Sequence, residues 1–164
     1  MRLRDLTSSD LETMWFINQA NVPALGEETP DSLGQIMEWS SMTIGVDVDD
    51  ALAGFCLVLE PGRPYPSQNY LWFQERYSNF IYLDRVGFAE EYRNQGFGAA
   101  LYAEVERRAS LIEATPSLFT LEVNLDPPNE GSMRFHLRQG FVEVGRQRTS
   151  SGKLVSLMAK SLNQ

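Results

Sequence analysis

The stretch FIYLDRVGFAEEYRNQGFGAALYAEVERRA, residues 80–109, decides the fold of this chain. Its first part, Phe80 to Phe88, is rich in aromatic and β-branched side chains, which favour a half-buried strand. From Gly98 onward, apolar residues recur at helical spacing and charged residues fall off that stripe. The stretch therefore predicts a strand, a glycine-bearing turn and a helix.

The junction between that strand and that helix reads Arg93-Asn94-Gln95-Gly96-Phe97-Gly98. Backbone N–H groups in the first turn of a helix lack intrahelical partners and carry partial positive charge. The two glycines let this backbone approach a ligand closely, because no Cβ stands in the way. Arg93 adds a planar, permanently charged donor fork. The junction therefore predicts a phosphate or pyrophosphate site; an ordinary strand-turn-helix with flexible glycines is the alternative interpretation.

The spacing within the junction distinguishes among phosphate-binding loops. A Walker loop has Lys-Ser/Thr after its last glycine, whereas Ala99-Ala100 follow here, and Leu101 stands where the dinucleotide fingerprint has Gly or Ala. Arg-x-x-Gly-x-Gly after a strand instead resembles the acetyl-CoA motif of the GCN5-related N-acetyltransferase (GNAT) family. In that family the helix N-terminus binds the CoA pyrophosphate, and the preceding strand hydrogen-bonds the pantetheine arm. The resemblance implies acetyl-CoA as co-substrate, bound by Val86, Gly87, Phe88, Arg93, Asn94, Gln95, Gly96, Phe97, Gly98 and Ala99.

A second motif, Asn129-x-x-Ser132-x-x-Phe135-His136-x-x-x-Gly140-Phe141, resembles the same family. Members typically show Asn, a small residue three positions on, and an aromatic pair that ends in Tyr before Gly-Phe. Here Ser132 is the small residue and His136 takes the place of the Tyr, which is the general acid in many relatives. The resemblance implies that Asn129 and Ser132 contact the cofactor. His136 is a candidate for acid, for base, or for a hydrogen bond to the CoA sulfur.

Glu122, in the segment Leu121-Glu122-Val123, is the candidate general base. Strand alternation places it on the opposite face from Leu121 and Val123. Ribosomal-protein N-terminal acetyltransferases of the family carry a general-base Glu in a similar Leu-Glu-Val, and a solvated strand carboxylate is the alternative. On the central strand, alternation predicts that Asp84 and Arg85 point to opposite faces. A structural ion pair is the favoured role for them, and the alternative is that one of them faces the acceptor.

Composition limits the classes of partner and site. A net charge of −8 and a pI near 4.7 argue against nucleic acid or an anionic membrane as the main partner. The single cysteine, Cys56, excludes an internal disulfide and a cysteine-based zinc site, and the single histidine excludes a multi-histidine metal site, so no metal is expected. Met1 to Asp10 has no apolar signal core, and a cytoplasmic location is expected.

The order of predicted elements agrees with a single domain over residues 1–164. We expect an α/β chain of the GNAT (acyl-CoA N-acyltransferase) fold, with a mixed, mostly antiparallel sheet flanked by helices. The aromatic segment that contains Tyr70, Trp72, Phe73 and Tyr77 could line an acceptor pocket, cover the sheet or form a dimer contact; core or dimer is favoured. Predicted elements are a strand over 1–6, helices capped by Thr7 and Thr29, a hairpin over 43–60, a strand over 118–123, a loop over 124–129, a helix over 131–139 and a closing hairpin over 141–162.

These observations together predict an acetyl-CoA-dependent N-acetyltransferase. The acceptor could be a small amine, an amino acid or a protein N-terminus, and a homodimer is possible. A non-catalytic CoA-binding or sensing module is the alternative function, favoured by the absence of the usual Tyr.

Overall fold

Residues 1–162 are described by the computed structural model, and within them the chain forms one seven-stranded sheet with five α-helices. The last two residues of the predicted domain, 163 and 164, lie outside the described residues. The strands are β1 Arg2–Asp5, β2 Met42–Val48, β3 Ala51–Leu59, β4 Phe80–Phe88, β5 Leu118–Asp126, β6 Val142–Arg148 and β7 Leu154–Ser161. The helices are α1 Leu11–Ala20, α2 Pro30–Trp39, α3 Gln68–Arg76, α4 Phe97–Ala109 and α5 Glu130–Gln139.

The sheet has the strand order β1-β2-β3-β4-β5-β7-β6. Its neighbouring strands are antiparallel except for β4 and β5, which are parallel and joined through α4. The predicted α/β class and the mixed, mostly antiparallel sheet are confirmed. Strand β4 has the predicted bounds, Phe80 to Phe88.

Local signals fix the helix ends. The prediction that Thr29 caps a helix is confirmed, whereas Thr7 caps a 3₁₀ turn, Ser8–Asp10, and Asp10 is the residue that precedes α1. The Thr29 hydroxyl accepts a hydrogen bond from the Ser32 N–H at 3.0 Å, and Pro30 occupies the first helical position of α2. Before α1, the Thr7 N–H donates to the Asp10 carboxylate at 2.8 Å. Gly140 ends α5 with a φ of 98°, a left-handed conformation that favours glycine.

The aromatic segment after residue 67 forms α3, which the sequence did not predict as a helix. Tyr70 and Phe73 are fully buried on its inner side. Trp72 packs on Gly145 of β6 so closely that a Cβ there would lie 2.4 Å from the indole. The segment therefore covers the sheet, which confirms the core interpretation.

The sheet separates two apolar cores. On one face Leu101, Tyr102 and Val105 of α4 pack on Phe119 and other residues of the central strands. On the other face α1, α2 and α3 pack on a second set, which includes Tyr82 of β4. Alternation along β5 sends Leu121 and Val123 toward α4 and Glu122 toward the opposite face, as predicted.

Strands β4 and β5 pair over a short seam only. The register runs from Phe80 opposite Leu118 to Tyr82 opposite Thr120. Beyond that point each strand pairs only with its outer neighbour, β4 with β3 and β5 with β7. The predicted loop over 124–129 is wrong at its start, because Asn124 and Asp126 continue the ladder with β7. The two diverging strands leave a wedge-shaped gap in the middle of the sheet.

Candidate active site

A cleft of about 940 Å³ occupies the gap between β4 and β5 and crosses the sheet. This volume is within the usual range for small-molecule sites, about 300–1,000 Å³. Every residue that the sequence predicted for the site lines this one cleft. These are Val86, Gly87, Phe88, Arg93, Asn94, Gln95, Gly96, Phe97, Gly98, Ala99, Glu122, Asn129, Ser132 and His136.

The start of α4 presents backbone N–H groups to the cleft. Asn94 and Gly96 have φ angles of 60° and 85°, and no side chain caps the helix at Gly96. A Cβ built on Gly96 would have no neighbour within 4 Å, and one on Gly98 would meet only the Phe135 ring, at an ordinary 3.6 Å. The protein's own packing does not require glycine at position 98. The open space is therefore suited to a ligand that approaches the backbone, as a diphosphate does at a helix N-terminus.

The walls next to this helix start supply further polar groups. Arg93 is exposed and its Nε donates to the Phe88 carbonyl at 3.2 Å, which holds it beside the end of β4. Asn129 caps α5, where its side-chain oxygen accepts from the Ser132 N–H at 3.3 Å. The edge of β4 from Val86 onward faces the gap instead of β5. An extended amide-bearing arm can pair with such an edge as an added strand does.

Glu122 lies on the α1–α3 side of the cleft, where it is half-buried. The Tyr82 hydroxyl donates a hydrogen bond to its Oε1 atom. Burial raises the pKa of Glu122 to about 8, and the negative charge of Asp84 adds to this rise, while the Tyr82 hydrogen bond and Arg85 lower it. A carboxyl group with a pKa near the working pH is suited to accept a proton and release it again.

Asp84 and Arg85 do not point to opposite faces as strand alternation predicted. In the pairing with β3, Arg85 lies opposite Leu57 and Leu83 lies opposite Val58, so Asp84 is the extra residue of a β-bulge. The bulge turns both side chains into the cleft, where Arg85 Nε donates to Asp84 Oδ2 at 2.6 Å. The expected ion pair is confirmed, and the expected separation is wrong because a bulge breaks the two-residue period.

Arg85 also ties the loop between α1 and α2 to the sheet. Its Nη2 donates to Glu28 at 3.1 Å and its Nη1 donates to Asn18 at 2.8 Å. On the other side of the bulge, the Tyr65 hydroxyl donates to Asp84 at 2.6 Å. Glu28, Tyr65 and Tyr82 are members of the site that the sequence did not predict. Only Tyr82 carried a signal, because alternation places it on the same face as Glu122 at the seam.

His136 lies on the α4–α5 side of the cleft and is buried. Its Nδ1 is 2.7 Å from the Ser132 carbonyl, which can only accept, so Nδ1 carries the proton. Nε2 is then an acceptor, and the Tyr102 hydroxyl donates to it at 2.7 Å. Burial lowers the pKa of His136, which keeps the ring neutral at pH 7. Tyr102, which packs in the core beneath α4, is therefore also a member of the site.

Other chemistry is limited within the described residues. Cys56 is fully buried, and burial raises the pKa of its thiol to about 12, so it is a small core residue and not a nucleophile. Among residues 1–162, no group of three His, Cys, Asp or Glu side chains could hold a metal ion. None of the helices in that range is long and apolar enough to cross a membrane.

Solved structures with the same fold include several acetyltransferases. Ard1 from Thermoplasma volcanium is 17% identical, with a TM-score of 0.79 and coverage of 99% of this chain and 98% of that one. The ribosomal-protein-alanine N-acetyltransferase from Brucella melitensis is 22% identical, with a TM-score of 0.72 and coverage of 98% and 99%. The ribosomal-protein-S18-alanine N-acetyltransferase from Escherichia coli is 17% identical, with a TM-score of 0.71 and coverage of 99% and 94%.

Sequence comparison assigns the family more directly than these distant structures do. A search of curated protein sequences gave no significant match. A model of the Acetyltransferase (GNAT) family matches residues 9–141, which span both motifs and all of the cleft lining except the β6–β7 turn and β7. Members of this family generally use acetyl-CoA. The chain belongs to the GNAT family of acetyltransferases.

Proposed function

We propose that this protein transfers an acetyl group from acetyl-CoA to an amine. One observation carries the proposal: the uncapped N-terminus of α4 and the carboxyl group of Glu122 line the same gap between β4 and β5. The first suits the diphosphate of the carrier and the second suits a proton transfer, so both reactants can meet between them.

The residues of the α4–α5 side would bind the carrier. The N–H groups from Asn94 to Ala99 would hold its diphosphate, and the edge of β4 at Val86 to Phe88 would pair with its amide-bearing arm. Asn129 and Ser132 flank the same region at the start of α5. When bound, acetyl-CoA would supply an acetyl thioester whose carbonyl carbon forms a C–N bond to the free amine as its C–S bond breaks, and the leaving CoA thiolate would take up the proton that the nitrogen releases.

Glu122 would act as the base on the α1–α3 side. An amine reacts only as the free base, so a group in the cleft must take the proton of the ammonium ion. Tyr82 fixes one oxygen of the carboxyl group by its hydrogen bond and leaves the other for the amine. Because the pKa of Glu122 is about 8, its basic form increases as the pH rises from 7 to 9.

His136 would act through position and not as the proton donor. Both of its ring nitrogens are engaged, Nδ1 with Ser132 and Nε2 with Tyr102, and its neutral form has no proton on the nitrogen that faces Tyr102. It would therefore hold α4 and α5 together beside the thioester. This proposed role differs from all three that the sequence left open for His136, which were acid, base and a hydrogen bond to the CoA sulfur.

A binding and turnover experiment tests the proposal. We expect acetyl-CoA to raise the thermal midpoint of unfolding, and a panel of amines to release free CoA thiol above the rate without amine. Stabilisation without amine-dependent thiol release would indicate a binding module and contradict the proposed transfer. No stabilisation at millimolar acetyl-CoA would also remove the proposed cofactor site.

A further inference from the structure

The acceptor compartment is the part of the cleft on the α1–α3 side of the sheet. The loop between α1 and α2, residues 21–29, forms one wall, and the start of α3 forms the opposite wall. The turn between β6 and β7, residues 149–153, lies over both, and Tyr82 and Glu122 lie on the floor. The size and charge of the molecules that fit between these walls limit which amines can be acceptors. This inference rests on the proposed function.

Hydrogen bonds fasten the β6–β7 turn to both walls of the acceptor compartment. Lys153 Nζ donates to the Pro23 carbonyl at 2.6 Å on the side of the α1–α2 loop. The Ser150 N–H donates to Gln68 Oε1 at 2.7 Å on the side of α3. A chain-like acceptor that passed between the turn and either wall would have to break one of these two bonds. A small molecule does not need to disrupt them.

The charged groups of the compartment distinguish among small molecules. Three carboxyl groups face it, Glu28, Asp84 and Glu122, against one buried guanidinium, Arg85. Arg85 is committed, since it donates to Asp84, Glu28 and Asn18 at 2.6, 3.1 and 2.8 Å. Lys153 is bound to the Pro23 carbonyl. Because the pKa of Glu122 is about 8, its carboxyl group is mostly protonated at pH 7, and Glu28, Asp84 and Arg85 together carry one net negative charge there. An acceptor carboxylate would meet this negative charge and only cations already engaged by other groups, whereas an ammonium ion would meet an opposite charge that grows as Glu122 ionises.

We propose that the acceptor is a small aliphatic amine that carries no carboxylate, and not an amino acid or a protein N-terminus. The fastened turn disfavours chain-like acceptors, and the net negative charge of Glu28, Asp84 and Arg85 disfavours zwitterionic ones. The acetyltransferases of similar fold that act on ribosomal proteins share less than 25% of their residues with this chain, so their acceptors do not set its acceptor.

The experiment compares four probes on the full chain: n-butylamine, 1,4-diaminobutane, L-alanine and a short peptide with a free N-terminal alanine. We expect the two alkyl amines to be acetylated at least about tenfold more efficiently than the other two, a difference of about 1.4 kcal/mol. Calorimetric titration of each probe into the protein saturated with CoA gives a second readout that needs no turnover, and we expect the same order of affinity.

Variants of Lys153 test the fastened turn directly. Lys153→Met removes the donor to Pro23 and should raise the efficiency toward the peptide, whereas Lys153→Arg keeps a donor and should not. Lys160→Met is the matched control, because Lys160 pairs with Glu106 at 2.9 Å and does not line the cleft. It should leave the preference for alkyl amines unchanged.

Three outcomes overturn the inference while the proposed function stands. These are peptide acetylation at an efficiency equal to that of n-butylamine, preference for L-alanine, and no acetylation of either alkyl amine although acetyl-CoA binds and another amine is acetylated. A failure of acetyl-CoA to bind would instead overturn the proposed function, and the inference with it.

Discussion

Between Asn94 and Ala99 the wall of the cleft is backbone, whereas around Glu122 it is made of interlocked side chains. The first region is exposed and uses a left-handed Gly96 and uncapped N–H groups. The second contains Tyr82 and the buried pair Asp84–Arg85, joined by hydrogen bonds. The difference teaches that one end of the cleft is fixed by local chain geometry and the other by contacts between distant parts of the sequence.

A change at Glu122 should give the largest effect, and on turnover only. Glu122→Gln keeps an oxygen to accept from Tyr82 but cannot take a proton, so kcat should fall by about 10² to 10⁴-fold. The dissociation constant for acetyl-CoA should stay within about twofold, because the backbone N–H groups from Asn94 to Ala99 are unchanged. Steady-state kinetics and calorimetry measure the two quantities.

The control for that variant is Glu113→Gln, an exposed carboxyl outside the cleft, which should leave both quantities unchanged. If Glu122→Gln retained full turnover, Glu122 would not be the base.

A change at Gly96 should affect the binding of acetyl-CoA. Gly96→Asp places a carboxylate beside the proposed diphosphate and should weaken acetyl-CoA binding by about 100-fold, or about 2.7 kcal/mol. Gly62→Asp is a closely matched control, because Gly62 also has a left-handed φ, 87° against 85°, and open space around a Cβ. Both variants bear the same backbone strain, so a loss of affinity in both would indicate misfolding and not a phosphate site.

A change at Tyr82 should have a smaller effect, through the pKa of Glu122. Tyr82→Phe removes the hydrogen bond that lowers the pKa of Glu122, so the midpoint of the kcat/KM against pH profile should move to higher pH. Activity at pH 7 should drop by up to about tenfold, as expected for the loss of one hydrogen bond to a carboxylate. Tyr70→Phe, which removes a hydroxyl that donates to the Glu60 carbonyl, should leave the midpoint in place. An unshifted profile in Tyr82→Phe would separate Tyr82 from the base.

The smallest expected effect is on stability. Glu122 holds its proton to a pKa of about 8 in the folded chain, against an ordinary 4.5, so its contribution is complete below about pH 4.5 and is lost as the pH rises through 8. A rise of the pKa from 4.5 to about 8 sets an upper limit of about 5 kcal/mol on this contribution. Because solvent reaches the half-buried carboxyl group and screens it, we expect the wild-type chain to lose about 1 kcal/mol across that window relative to Glu122→Gln. Thermal unfolding of both chains from pH 5 to 9 measures this, and parallel curves would contradict the raised pKa.

The same contrast explains which features the sequence could predict. The strand, the turn and the helix of residues 80–109 depend on neighbours in the chain, so hydrophobic periodicity and two glycines were enough to place β4 and α4. The capping residues Thr29 and Gly140 act locally and were placed for the same reason.

The side-chain end was predictable only in part. The period of two placed Glu122 on the correct face, but the bulge at Asp84 depends on the register with β3, which no local pattern encodes. Glu28 and Arg85 are 57 positions apart, and Tyr102 and His136 are 34 apart, so their contacts follow from the assembled sheet. The segment that became α3 was ambiguous because its aromatic residues suit several environments.

The short, three-residue pairing between β4 and β5 places the stability of the fold and the activity of the site in opposition. If the parallel ladder continued past Tyr82 and Thr120, the added rungs would bring the two halves of the sheet together and would fill the space that substrates need. The two central strands of the sheet therefore stay unpaired with each other beyond that point. Substitutions that extend the pairing of β4 with β5 should give a protein that is more stable and inactive. Selection for thermal stability alone would therefore favour loss of the gap.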